Sequence, residues 1–195
     1  MKIKLYHGTT TKHLDKILKQ GITPRHDRPS NWDKHPSRED MVYLTNAYAI
    51  YFAQVCCDWE AGESPIVLEV LVDEKRLYPD EDFLEQASRH LTAEHWVEFN
   101  KNSIETKTSI FRQDLLNWQE QYQSSLNNLG NACYKGTIKP KNILRYSILS
   151  DCLKAWEHGD PSITLMNYMA LGGKYRHRCE VEAWEKPISE EVINL

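Results

Sequence analysis

Tyr6-His7-Gly8-Thr9-Thr10 is answered further along the chain by Val42-Tyr43-Leu44-Thr45 and then by Ala47-Tyr48-Ala49-Ile50-Tyr51-Phe52-Ala53, and the fold is read from these three stretches. Lys2, Ile3, Lys4, Leu5 and Tyr6 alternate polar and apolar, as a half-buried strand does, so the first strand runs to His7. Thr10 or Thr11 can cap a helix whose apolar face is Leu14, Ile17 and Leu18, and Gly21 stands where a left-handed residue closes it. Val42 to Thr45 reads as a second, short strand. Asn46 is a good cap for a helix through Tyr51 to about Trp59.

Outward from that core, Ile66-Val67-Leu68-Glu69-Val70-Leu71-Val72 is an apolar, β-branched run that predicts a strand buried on both faces at the sheet centre. Pro79-Asp80-Glu81-Asp82-Phe83 turns the chain into a polar, mostly helical insertion over about 83–126. Asn127-Asn128-Leu129-Gly130 ends it, and strands follow at Ala132 to Ile138 and Ile143 to Leu149. The remaining residues, about 150–195, read as an extension whose role is the least legible. Strands and helices in this order predict an α+β fold, and 195 residues with 41% hydrophobic content suit a single domain over 1–195.

The net charge of -4 and a pI near 6.1 argue against a protein that coats nucleic acid non-specifically. Five cysteines, with Cys56 and Cys57 adjacent and no paired C-x-x-C spacing, suit neither a disulfide framework nor a zinc site, and no metal is expected. A reduced, cytoplasmic setting fits that usage. Met1 to Leu5 leads directly into a strand without an apolar leader, and no apolar run is long enough to span a bilayer, so no membrane partner is expected.

A strand ending on His-Gly-Thr offers an imidazole beside a residue whose backbone a flat ring can approach closely, which is a nucleotide-binding edge. With Tyr43 on the next strand and Tyr51 on the helix after it, the chain resembles the ADP-ribosyltransferase superfamily, well over roughly the first 75 residues and weakly beyond. The resemblance implies a split β-sheet core with flanking helices, NAD as substrate and no metal. It implies that His7, Gly8 and Thr9 form the cofactor edge, with His7 on a ribose hydroxyl and the Gly8 backbone at the nicotinamide carboxamide. Tyr43 and Tyr51 would sandwich the nicotinamide ring. The two tyrosines stand closer in sequence than is usual in the family, which leaves Tyr48 as an alternative to Tyr51. Arg25, Arg28 and Arg38 lie in the long segment before Tyr43, where a guanidinium can hold a pyrophosphate, and Arg38 is the best placed. Each of these residues taken singly also fits an ordinary core aromatic, strand-end histidine or solvated arginine.

Most transferases of this family use a glutamate to bind the ribose 2′-hydroxyl as the bond to nicotinamide breaks. The resemblance places it near residues 131–134, where this chain has Asn131-Ala132-Cys133-Tyr134. Three readings stand: the acid comes from the Asp80-Glu81-Asp82 turn, with Glu81 and Asp82 as candidates; from Glu182 of the Glu180-x-Glu182 pair; or it is absent. The last would suit a tRNA 2′-phosphotransferase-like enzyme, or an inactive module that binds NAD or ADP-ribose.

Lys135, Lys139, Lys141 and Arg145, interleaved with Tyr134 and Tyr146, and separately Lys174 to Arg178, suggest a basic and aromatic strip. The expected acceptor is therefore a macromolecule, RNA or DNA slightly ahead of protein. The family resemblance extends to intracellular bacterial and phage toxins of toxin-antitoxin or antiviral defence systems, which implies an antitoxin protein as a possible partner.

Overall fold

The computed structural model describes residues 1–26, 37–83 and 119–148. The candidate acid Glu182, Arg28, the Lys174 to Arg178 cluster, the middle of the expected insertion and the 150–195 extension lie outside the described residues.

The described chain is α+β. Its strands are β1 (Lys2–Thr10), β2 (Met41–Thr45), β3 (Pro65–Asp73), β4 (Leu77–Pro79), β5 (Asn131–Lys135) and β6 (Ile143–Ile148); its helices are α1 (Thr11–Gln20), α2 (Ala49–Val55) and α3 (Tyr122–Asn128). All strand pairings are antiparallel, in the order β4-β5-β2-β1-β3-β6. The β1–β3 pair runs nine positions from Lys2 opposite Asp73 to Thr10 opposite Pro65, whereas β1 and β2 pair at Tyr6 opposite Thr45 alone. The sheet is thus two three-stranded halves joined at one position.

Strand alternation sorts the side chains onto two faces. On one, Leu5, Val42, Leu44, Ile66, Leu68, Val70 and Val72 are buried with Ile17 of α1, and Leu14 and Leu18 pack against them, as the helical period predicts. On the other, Tyr6 and Val67 pack against Ala49, Ala53 and Ile50 of α2, and Tyr43 packs with Met41, Cys133, Tyr78 and Phe83. Gly21 closes α1 at φ 85, its N–H bonded to the Ile17 carbonyl.

Three expectations need correcting. The Ile66 to Val72 strand lies between β1 and β6, and the middle of the sheet is the β2–β1 junction. Its apolar run reflects cover on both faces, by the main core and by α2, which central position does not by itself produce. The helix after β2 starts at Ala49 with Tyr48 at its N-cap and no side-chain cap, so Asn46 does not cap it: Asn46 donates through Nδ2 to the Leu126 carbonyl, and the turn ahead of the helix is held by the Thr45 hydroxyl, which accepts from the Ala47 and Tyr48 N–H groups at 3.0 and 2.9 Å. Finally, Leu77–Pro79 adds an edge strand, too short and too near Pro79 to show a period in sequence.

Gly8 is required by packing. A Cβ on it would lie 2.2 Å from the Ala49 carbonyl oxygen and 2.6 Å from the Ala53 nitrogen, so the backbone of α2 rests directly on β1. Gly8→Ala should therefore push α2 off the sheet and cost about 1–3 kcal/mol, the usual range for overpacking, measured as a lower urea midpoint.

Candidate functional site at the strand junction

Where β1 and β2 part, the imidazole of half-buried His7 reaches across and its Nδ1 bonds the Tyr43 carbonyl at 3.0 Å. A carbonyl only accepts, so Nδ1 carries the hydrogen and the neutral ring keeps a lone pair on Nε2. Burial pushes the His7 pKa below its ordinary value, with the Tyr43 carbonyl acting in the opposite sense and His13 in the same one. The neutral ring is therefore the favoured form.

Tyr43 is the meeting point of the site. Its hydroxyl donates to the Glu81 carboxylate, with both oxygens close, at 2.5 and 2.7 Å. The same hydroxyl accepts the Arg38 backbone N–H at 2.8 Å. Burial first, then the proximity of Cys133 and of the Glu81 carboxylate, drives its pKa well above that of free tyrosine, so it is a neutral donor. Cys133, opposite Tyr43 on β5, directs Sγ to Glu81 at 3.6 Å, and burial holds it as a thiol. Asn131 opens β5 opposite Thr45, on the face that carries Tyr43 and Cys133, and its Oδ1 is buried without a hydrogen-bond partner.

The three acids of the turn are sorted by geometry. Glu81 meets Tyr43, Asp82 is exposed, and Asp80 is buried at 7% exposure with Oδ1 accepting the Asp82 N–H at 2.9 Å. Burial, then repulsion from Glu81 and Asp82, pushes the Asp80 carboxyl up to about 8.

The other expected residues lie apart from this cluster or are differently engaged. Thr9 is buried in β1 opposite Ile66. Arg38 contributes its backbone N–H to Tyr43, but its guanidinium is paired with Asp40 at 2.9 and 3.0 Å, which holds the Asp40 carboxyl below its usual range. Tyr51 stands two residues from both sheet-facing alanines of α2, a rotation of about 200° that turns it away from the sheet. Its ring meets Phe52 edge-on with centroids 5.5 Å apart. Tyr48 packs over Gly130.

Among the described residues, the part of the basic and aromatic strip between Tyr134 and Tyr146 does not assemble on one surface. Tyr134 is buried at 3% exposure beneath the Arg76 guanidinium, Arg145 is bonded to Glu69, and β5 and β6 lie in opposite halves of the sheet. Cys133 and Asp40 drew no functional reading from sequence, because only the β2–β5 register and the Tyr43 side chain bring them to the site.

No family model matches this chain, and no curated protein matches it.

The buried Asp80 gives a stability signature. Its folded pKa, about 8, lies above the ordinary 3.8, so between those values the folded state holds a proton that the unfolded chain has lost. Stability should fall as pH rises through that window and be fully present below it. Asp80→Asn keeps the acceptor for the Asp82 N–H, and urea titrations across the window should give a flatter pH profile and a gain of a few kcal/mol at its upper end.

Proposed function

We propose that this chain is an NAD-dependent ADP-ribosyltransferase that modifies a macromolecular acceptor. The observation that carries the reading is one hydrogen-bonded line, His7 imidazole to Tyr43 carbonyl and Tyr43 hydroxyl to Glu81 carboxylate, which crosses the junction where the two half-sheets part. A histidine and a tyrosine on the first two strands, with a carboxylate beside the tyrosine, are the groups that the family resemblance requires. The split of the sheet is the setting it implies.

In this reading the bond between nicotinamide nitrogen and ribose C1′ breaks with its electron pair leaving on nicotinamide, whose positive charge is thereby neutralised. The cationic, oxocarbenium-like ribose is then taken by a nucleophile of the acceptor, whose proton passes to a base or to water. His7 Nε2, held unprotonated, accepts from a ribose hydroxyl. Glu81 exchanges one of its two contacts with the Tyr43 hydroxyl for the ribose 2′-hydroxyl and places negative charge beside the developing cation. Tyr43 offers its ring to the nicotinamide and keeps the carboxylate aimed in the meantime.

The engagement of Arg38 with Asp40 and the packing of Tyr51 against Phe52 make His7, Tyr43 and Glu81 the residues on which the proposal rests. The acceptor class is left as a macromolecule. The nucleic-acid preference loses its described support with the burial of Tyr134 and the pairing of Arg145, and an antitoxin partner rests on the family resemblance alone.

Incubation with NAD labelled on the adenylate should give free nicotinamide and label on a macromolecule from a cell extract. Glu81→Gln should lower that rate about 100- to 1,000-fold, the scale of one lost electrostatic stabiliser, with the fold intact by circular dichroism. Asp82→Asn should leave it near wild type. Equal rates in wild type and Glu81→Gln would remove the carboxylate from the mechanism, and tight retention of NAD without turnover would make the chain a binding module.

A further inference from the structure

We propose that Ser125 is a positioning residue: its hydroxyl clamps the acidic turn to β5 and so sets Glu81 against Tyr43. The functional part of this inference rests on the ADP-ribosyl transfer reading above.

Ser125 lies in α3 and is fully buried. Its Oγ accepts the Asp80 N–H at 3.0 Å and donates to the Asn131 carbonyl at 2.7 Å, so both hydrogen-bonding functions of one hydroxyl are spent joining two other segments. Asp80 immediately precedes Glu81. The next described bonds of the turn, Phe83 N–H to the Asp80 carbonyl and Asp82 N–H to Asp80 Oδ1, are internal to it and hold its shape without fixing its place. Pro79, the last residue of β4, has no N–H to give the β4–β5 ladder. The first backbone donor after the strand is therefore Asp80 N–H, and it goes to Ser125.

At the other end, Asn131 starts the strand that fixes Tyr43: Asn131 faces Thr45, and Cys133 faces Tyr43. The Ser125 carbonyl accepts from both Leu129 and Gly130 N–H, and the Gly130 carbonyl accepts from the Thr45 hydroxyl and the Asn46 N–H. The acidic turn, β5 and β2 thus share one frame, with Ser125 at its centre. Contacts of 2.5 and 2.7 Å between Tyr43 and Glu81 need that frame, because the carboxylate and the phenol arrive from segments 38 positions apart in sequence.

The test uses the full chain carrying Ser125→Ala. Nicotinamide release from NAD should show kcat lowered about 10- to 100-fold with KM within about twofold, as displacement of a reacting group by around 1 Å predicts. Ser125→Cys, which keeps a weak donor and acceptor, should recover part of kcat, and it is the variant to use if Ser125→Ala does not fold. Independently of turnover, alkylation of Cys133 mapped by peptide mass spectrometry should rise in Ser125→Ala, since the thiol lies beneath the Glu81 carboxylate. Unchanged kcat, or Cys133 equally protected in both proteins, overturns the clamp. A fall in kcat that tracks only a loss of folded protein, without recovery in Ser125→Cys, overturns it as well. If wild type releases no nicotinamide, the proposed function fails, and the alkylation comparison alone decides whether Ser125 holds the turn.

Discussion

The structure depends on how β1 and β2 meet. Nine paired positions bind β1 to β3, yet a single pair, Tyr6 with Thr45, binds it to β2. A sheet that opens in its middle leaves backbone groups to be satisfied, and an unpaired buried carbonyl costs as much as a lost hydrogen bond. His7 meets that need from its side chain, bonding the Tyr43 carbonyl. Its neighbour Gly8 serves the opposite face, where the backbone of α2 occupies the space a side chain would fill. Adjacent residues of a strand point to opposite faces, so the His-Gly pair holds the opening on one side and seats a helix on the other.

Tyr43 then carries the constraint into the site. Its carbonyl is tied to β1 through His7, its hydroxyl to the acidic turn through Glu81 and to the Arg38 backbone, and Thr45 of the same strand holds the turn that leads into α2. The electrostatics follow from crowding acids at a partly dry place. Burial and the Glu81 charge keep the phenol, the Cys133 thiol and the Asp80 carboxyl protonated, so the groups that touch Glu81 are neutral donors, with the Arg38 guanidinium as a cation nearby. A carboxylate held in that way can meet a developing positive charge without first reorganising its partners, which is what the proposed bond cleavage asks of it.

Much of this was legible in sequence. Alternation and β-branching located five of the six strands, and the Leu14, Ile17 and Leu18 period with Gly21 located α1 within a residue or two. The Asp80-Glu81-Asp82 turn was one of two possible sources of an acid, beside the reading that none takes part, and only the fold separates its members: one caps and is buried, one meets Tyr43, one is exposed. Between Tyr134 and Tyr146, alternating lysines and tyrosines look the same in sequence whether the rings stack outward or, like Tyr134, fill the core. Where Tyr51 stands on α2 is a matter of helix phase, which the two alanines packed on the sheet set.

The sequence by itself determined the strand and helix types and the closing of α1 at Gly21, because period, turn chemistry and side-chain type act over a few neighbouring positions; His7, Gly8 and Tyr43 were singled out by the family resemblance. The tertiary structure alone decided that β1 and β2 part after one pair, that Glu81 is the acid facing Tyr43, and that Ser125 ties the acidic turn to β5. Those outcomes depend on pairing register and on hydrogen bonds of a few ångströms between residues tens of positions apart, and no local pattern encodes them.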